Sequence, residues 1–245
     1  MAQPNDLLAV LIDADNVSQT RIGAVLDEIA KYGTASVKRV YGDWSKERLH
    51  GWLGAARDHV IQPVQQLENV SGKNASDIAL IIDAMDLLHT GRFSGFCIVS
   101  SDSDFTRLAS RIREEGVTVY GFGARTTAEA FRNACDQFTY LDLLESARQD
   151  VAPTDAAPKR MPGPKMRGDT TLVTLLRTNV SGASSDDGWA NLAVVGSLMR
   201  KQQPDFDSRN WGYAKLSDLV REIGLFTIET NQGGGGVRVR DKRKA

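Results

Sequence analysis

Cysteine and histidine are scarce in this chain of 245 residues, with two cysteines (Cys97, Cys135) and three histidines (His50, His59, His89). None of the five stands at metal-ligand spacing such as C-x-x-C, and neither cysteine has an obvious base partner. Zinc binding and a Ser or Cys nucleophile therefore lack support. Both cysteines lie in apolar or helical context and read as reduced, buried thiols. No apolar run approaches the ~20 residues of a membrane span, and the opening stretch lacks the parts of a signal peptide. The expectation is a cytoplasmic protein that makes no use of a membrane. There is no Walker A motif, and Gly121-Phe-Gly123 lacks the third glycine of a dinucleotide fingerprint, so a nucleotide cofactor is unsupported.

Proline is also sparse, yet four of the seven (Pro153, Pro158, Pro162, Pro164) crowd into one stretch with Ala, Lys and Arg between them. Such a segment has little to bury and reads as an extended linker over residues 147–165. It would separate a first domain, residues 1–146, from a second, residues 166–245. Hydrophobic residues make up 41% and charged residues 25% of the chain, as in ordinary globular proteins. The net charge of -1 hides an asymmetry: residues 1–150 hold 15 Lys+Arg against 21 Asp+Glu, whereas residues 151–245 hold 15 against 10. The basic second part is the better candidate for phosphate contacts.

In the first part, short apolar runs (Leu7–Ile12, Val37–Tyr41, His59–Val64, Gly95–Val99, Gly116–Gly121, Phe138–Leu141) alternate with helical patterns. The helical patterns include Ile22/Leu26/Ile29 and Ser76–Leu88, the latter with Ile78, Ile81, Ile82, Met85 and Leu88 on one face. Thr126-Thr-Ala-Glu129 has capping-box spacing. This alternation predicts a doubly wound parallel α/β sheet. In the second part, helices over Thr170–Arg177, Trp189–Arg200 and Tyr213–Ile223 precede a hairpin, Phe226–Thr230 and Val237–Arg240, around a glycine-rich tip. That is the pattern of a smaller winged-helix (α+β) domain.

The chemistry gathers at strand tips. Leu8-Ala-Val-Leu-Ile12 runs into Asp13-Ala-Asp15-Asn16, and Phe96–Val99 runs into Ser100-Ser-Asp102-Ser-Asp104. Asp77 opens the helical segment that follows Lys73-Asn74. Asp102, Asp104 and Asp77, each taken alone, are equally at home as helix caps. If Asp13, Asp77, Asp102 and Asp104 converge, their repulsion calls for a cation. Oxygen-only donors suit Mg²⁺ or Mn²⁺, with an activated water attacking phosphorus as the corresponding chemistry. Asn16 is a candidate for holding a water or phosphate, and also a helix cap. Lys73 and Asn74 are candidates for phosphate contact. Asp83 and Asp86 read as a solvated face. Asp13-Ala-Asp15 also keeps open an aspartyl-nucleophile phosphatase, whose D-x-D it resembles.

Leu11-Ile-Asp13-Ala-Asp15-Asn16, Lys73-Asn74-Ala-Ser-Asp77 and Ser100-Ser-Asp102-Ser-Asp104-Phe105, in this order, resemble the NYN domain, a PIN-like metal-dependent ribonuclease family. The resemblance spans about residues 5–145. It implies a PIN-like fold, an RNA substrate and Mg²⁺ or Mn²⁺, with Asp13, Asp77, Asp102 and Asp104 as metal-binding acids and Asn16 assisting. Some PIN-like domains only bind, so a non-catalytic RNA-binding or scaffold protein is the alternative. The second part, through Asp187-Gly-Trp189, Pro204-Asp-Phe-Asp207, Tyr213–Leu219 and the glycine-rich wing, resembles the OST-HTH or LOTUS winged-helix domain. That likeness implies RNA binding or docking of a protein partner. Candidate phosphate contacts include Arg209, Lys215, Arg238 and Arg240, with Trp211 or Tyr213 as a stacking face. Trp189, Phe206, Trp211 and Phe226 are at the same time candidates for its core.

Overall fold

The computed structural model describes residues 6–66, 75–145, 160–230 and 236–244, in two compact units, Met1–Ala152 and Pro153–Ala245. The first alternates strand and helix: β1 (Leu7–Asp13), α1 (Ile22–Ile29), β2 (Thr34–Gly42), α2 (His50–Asp58), β3 (Gln62–Gln65) and α3 (Ala75–His89). It continues with β4 (Gly95–Val99), α4 (Thr106–Glu114), β5 (Thr118–Gly123), α5 (Glu129–Ala134), β6 (Gln137–Tyr140) and α6 (Asp142–Glu145). All six strands run parallel in the order β3-β2-β1-β4-β5-β6, the doubly wound sheet that the alternation predicts. Pro63 sits in β3 at the edge of this sheet, where a missing N–H costs the ladder least.

Side chains alternate between two cores, one on each face of the sheet. Ala9 and Leu11 of β1, with Phe96 and Ile98 of β4, pack with Leu80, Ala84, Phe105, Leu108 and Phe131 of the face that carries α3, α4 and α5. Leu8, Val10 and Ile12, with Cys97 and Val99, pack with Ile22, Val25, Trp52 and Leu144 of the face that carries α1, α2 and α6. Burial on both sides explains why β1 and β4 read as unbroken apolar runs. Both thiols are buried, as expected, and burial pushes them well above their ordinary range.

Three local expectations differ from the structure. In α3 the buried residues are Ser76, Leu80, Ala84 and Leu88, while Ile78 and Ile82 are exposed. The helix is apolar over more than one face, so periodicity alone does not choose its core side. Asp83 is not on a solvated face: half-buried, it accepts from Arg39 Nη1 at 2.9 Å and from the Tyr41 hydroxyl at 2.8 Å, pinning α3 to β2. The Thr126–Glu129 spacing is not used as a capping box, because α5 starts after Ala128 with no side-chain cap.

The second unit contains α7 (Gly163–Gly168), α8 (Thr170–Ala183), β7 (Ala190–Asn191), α9 (Leu192–Gln202), α10 (Leu216–Ile223), β8 (Phe226–Thr230) and β9 (Val237–Asp241). The strands form an antiparallel sheet, β7-β9-β8. The three expected helices (α8, α9 and α10) and the wing are therefore present, with the short helix α7 and a third short strand, β7, added. The segment from Arg160 to Pro164, expected within a linker, belongs to this unit. Pro162 caps α7 and Pro164 lies in its first turn, where a missing N–H is harmless. Met161 donates its N–H to the Trp211 carbonyl at 3.1 Å and accepts the Tyr213 hydroxyl at 2.8 Å. Gly163 lies so close to Glu222 that a Cβ there would stand 2.2 Å from its carbonyl oxygen. Trp189, Phe206 and Phe226 are buried, so the core reading holds for them, and Trp211 packs partly buried against the same core. Tyr213, a candidate stacking face, is buried as well and so presents no open ring. No helix among the described residues is long and apolar enough to cross a membrane.

Candidate active site

The strand order sets the place. After β1 the chain leaves to the α1 face, and after β4 it leaves to the α4 face, so the two connections part at the carboxyl ends of adjacent strands. In doubly wound sheets ligands bind in the crevice opened by such a reversal. Asp13 is the last residue of β1, on the same side as Leu11 by strand alternation, and therefore looks toward the face on which α3 packs. Ser100 follows β4 with the parity of Ile98, on that same side.

The two meet. Asp13 is 1% exposed; its Oδ2 accepts the Ser100 hydroxyl at 2.8 Å and the Asn16 amide at 2.6 Å, and its Oδ1 accepts the Asp15 N–H at 3.0 Å. A carboxylate offers about four lone-pair directions, so three are used and one is left. Burial, the largest cause, raises the proton affinity of Asp13, and these hydrogen bonds oppose it. Ser100 also accepts the Asp102 N–H at 3.0 Å, so one hydroxyl ties the first acid to the loop that carries the third. Asp102 in turn caps the 3-10 turn Ser103–Phe105, its Oδ1 accepting the Asp104 N–H at 2.9 Å. The cap reading and the site reading of Asp102 thus coexist, since a second oxygen stays available.

Asp77 arrives from the first turn of α3. Burial and then the charges of Asp13, Asp102, Asp104 and Asp15, in that order, push its pKa up to about 6. The four expected acids therefore share one neighbourhood, together with Asp15. Asp15 forms an ion pair with Arg48, in the turn ahead of α2. Lys73 and Asn74 lie outside the described residues. Ser100 is the functional residue that sequence reasoning passed over; its signal was its place between β4 and Asp102, in phase with Ile98.

The donor set fits a hard cation: oxygen only, rich in negative charge, with proton affinity raised at Asp77 as uncompensated charge demands. No group of three or more His, Cys, Asp or Glu side chains among the described residues is arranged to hold a metal by itself.

In the second unit, Arg238 and Arg240 lie over the Trp189 ring at 5.3 and 4.9 Å, and Arg238 pairs with Asp187. Lys215 is exposed at the start of α10. Arg209 is bound to Asp207 through Nε and Nη2, which spends part of its fork locally. Trp211 packs beside Phe206 and donates Nε1–H to Asp169 at 3.3 Å.

The family model of the NYN domain matches residues 7–142, and that of the OST-HTH/LOTUS domain matches residues 167–238. No curated protein matches the chain. Among solved structures, a Vibrio parahaemolyticus protein of unknown function is 17% identical, with a TM-score of 0.48, covering 57% of this chain and 95% of its own. An uncharacterised protein from Nitrosomonas europaea is 34% identical, with a TM-score of 0.27, covering 38% of this chain and 83% of its own. The matched families place the chain among PIN-like nuclease domains with an RNA-associated module. The chain belongs to the NYN domain family and carries an OST-HTH/LOTUS domain behind its NYN domain.

Proposed function

We propose that this protein is a divalent-metal-dependent ribonuclease, whose NYN unit hydrolyses RNA phosphodiester bonds and whose winged-helix unit recruits RNA. The observation that supports it most is the convergence of Asp13, Asp77, Asp102 and Asp104 at the sheet's topological switch point, where burial first and then the charges of the other acids push Asp77 up to about 6. Bound there, Mg²⁺ or Mn²⁺ would supply an activated water and stabilise the leaving oxygen.

The chain's own residues have separable tasks. Asp13 and Asp102 are the fixed pair, set in register by the Ser100 hydroxyl. Asp77 brings a carboxylate from the opposing helix, and Asp104, exposed on the loop, is the fourth. Asn16 donates its amide to Asp13, which leaves its carbonyl oxygen to orient a water or a ribose hydroxyl. Lys73 and Asn74, just ahead of Asp77 in the sequence, are assigned to phosphate. Lys215, Arg238 and Arg240, with Arg209 beside them in role, are assigned to RNA on the second unit, where counterion release would drive affinity. A protein partner docked on that unit is the other use its family suggests.

A cleavage assay on single-stranded and structured RNA decides the matter, with Mg²⁺, Mn²⁺ or EDTA, comparing wild type with Asp102→Asn. Metal-dependent cutting lost in the variant is the expected result; binding without cutting in any metal would instead make the protein an RNA-binding scaffold. A chromogenic phosphate monoester tests the D-x-D phosphatase reading, which the Asp15–Arg48 pair already disfavours by engaging its second acid.

A further inference from the structure

The acidic crevice must accept a polyanion, and the unit around it carries excess negative charge: 15 Lys+Arg against 21 Asp+Glu in residues 1–150. Cations at the rim are needed to hold an RNA strand across it, and they need to be fixed, because ordering a loose side chain on binding costs about 0.5–1.5 kcal/mol. Two arginines meet both requirements. On the β1–β2 side, Arg48 is half-exposed and held by Asp15, whose N–H is itself bonded to Asp13. On the other side, Arg125 follows the end of β5. It donates Nε–H to Asp142 at 3.0 Å and sits over Tyr140, with its guanidinium carbon 4.1 Å from the ring centroid.

The Arg125 anchor is tied to the acids through backbone and side chain. Ala124 donates its N–H to the Ser101 hydroxyl at 2.8 Å, one residue before Asp102, and the Tyr140 hydroxyl accepts from Arg132 at 2.7 Å. With Nε spent on Asp142, the two terminal amino groups of Arg125 remain as the planar fork that matches phosphate. The strand order puts Arg48 and Arg125 on opposite sides of the β1–β4 gap. At about 4.8 Å per strand, the four strands β2 to β5 span roughly 14 Å, the scale of a few nucleotides.

We propose that Arg48 and Arg125 are two phosphate anchors for one RNA strand, one on each side of the acidic centre, so that the strand crosses the carboxyl rim from β2 toward β5. This rests on the nuclease reading of the crevice and adds the path that the substrate takes through it. Asp15 and Asp142 with Tyr140 are positioning residues that hold the two guanidiniums ready.

The test uses the full chain and a fluorescein-labelled single-stranded RNA, comparing wild type, Arg48→Ala, Arg125→Ala and the corresponding lysine variants. Each alanine variant is expected to raise KM about tenfold with kcat within about threefold. Each is also expected to lower the slope of log affinity against log salt by about 0.7, the value for one contact to a single strand. Lysine should restore the salt slope and recover only part of the affinity. A substrate trimmed on one side of the cut should become insensitive to one of the two alanine variants and stay sensitive to the other. Unchanged KM and salt slope in both alanine variants, or equal sensitivity of both trimmed substrates, would overturn the proposal while leaving wild-type cutting intact. If wild type cuts nothing, the same salt slopes are read by anisotropy with 2′-O-methyl RNA; unchanged slopes reject the anchors, and lowered slopes keep them on a binding crevice.

Discussion

Replacing Asp77 by Asn should make the protein more stable and less active at once. In the folded chain Asp77 binds a proton with a pKa of about 6, against an ordinary value of 3.8, because burial and four neighbouring aspartates resist its charge. The folded state therefore holds more protons than the unfolded state between these values, so stability falls as pH rises from about 4 to about 6 and the full penalty is present at pH 7. Two decades of proton affinity correspond to about 3 kcal/mol. Asp77 is only partly buried, and solvent screening reduces this to about 1–1.5 kcal/mol. The isosteric amide removes the charge and keeps the shape. In EDTA at pH 7, Asp77→Asn should melt about 2–6 °C above wild type. The difference should shrink toward pH 4, and wild type alone should gain stability from added Mg²⁺. Scanning calorimetry across pH 4 to 7, with and without Mg²⁺, makes the measurement. A variant that melts at or below wild type at pH 7 in EDTA, or that keeps the wild-type pH slope, would refute the idea that the acids burden one another.

Ser100→Ala removes the hydroxyl shared by Asp13 and Asp102, and should cost about 1.5–3 kcal/mol in urea unfolding, as for a hydrogen bond to a buried charge. It should slow RNA cutting at least tenfold, whereas Ser103→Ala, exposed on the same turn, should do neither. Val60 has φ 53° and a side chain 79% exposed, a branched residue in left-handed backbone with little packing to lose. Val60→Gly should raise the urea midpoint, by about 0.5–1 kcal/mol of stability. A fragment of residues 160–245 should melt well above one of residues 169–245, followed by circular dichroism, because Met161 and Gly163 close hydrogen bonds to Trp211, Tyr213 and Glu222. Equal melting would show that α7 is dispensable.

The sheet was legible because β1 and β4 are buried on both faces and so write themselves as plain apolar runs, each ending where polar chemistry begins. The acids were legible for the same reason: Asp13 and Asp102 stand just where those runs stop. What escaped was decided far away in the chain. Asp83 reads as exposed from its own helix, and only Arg39 and Tyr41, more than 40 residues earlier, give it its role. The partners that make Arg160–Pro164 part of a folded unit lie about 50 residues later, so local composition there says only proline and glycine. The exposed side of α3, with Ile78 and Ile82, is invisible to periodicity in a helix that is apolar nearly all round. Asp15 reads as the second acid of a D-x-D motif from its own segment, and its ion-pair partner Arg48 lies 33 residues later.

The order β3-β2-β1-β4-β5-β6 has a consequence for how such a protein can change over time. The notch between β1 and β4 is made by the way the chain is threaded, not by the groups that line it. Its walls would persist with every carboxylate exchanged for an amide. Catalytic power and the capacity to seat a strand can accordingly be gained or lost separately, by substitutions at a handful of loop positions, while the framework beneath them stays as it is.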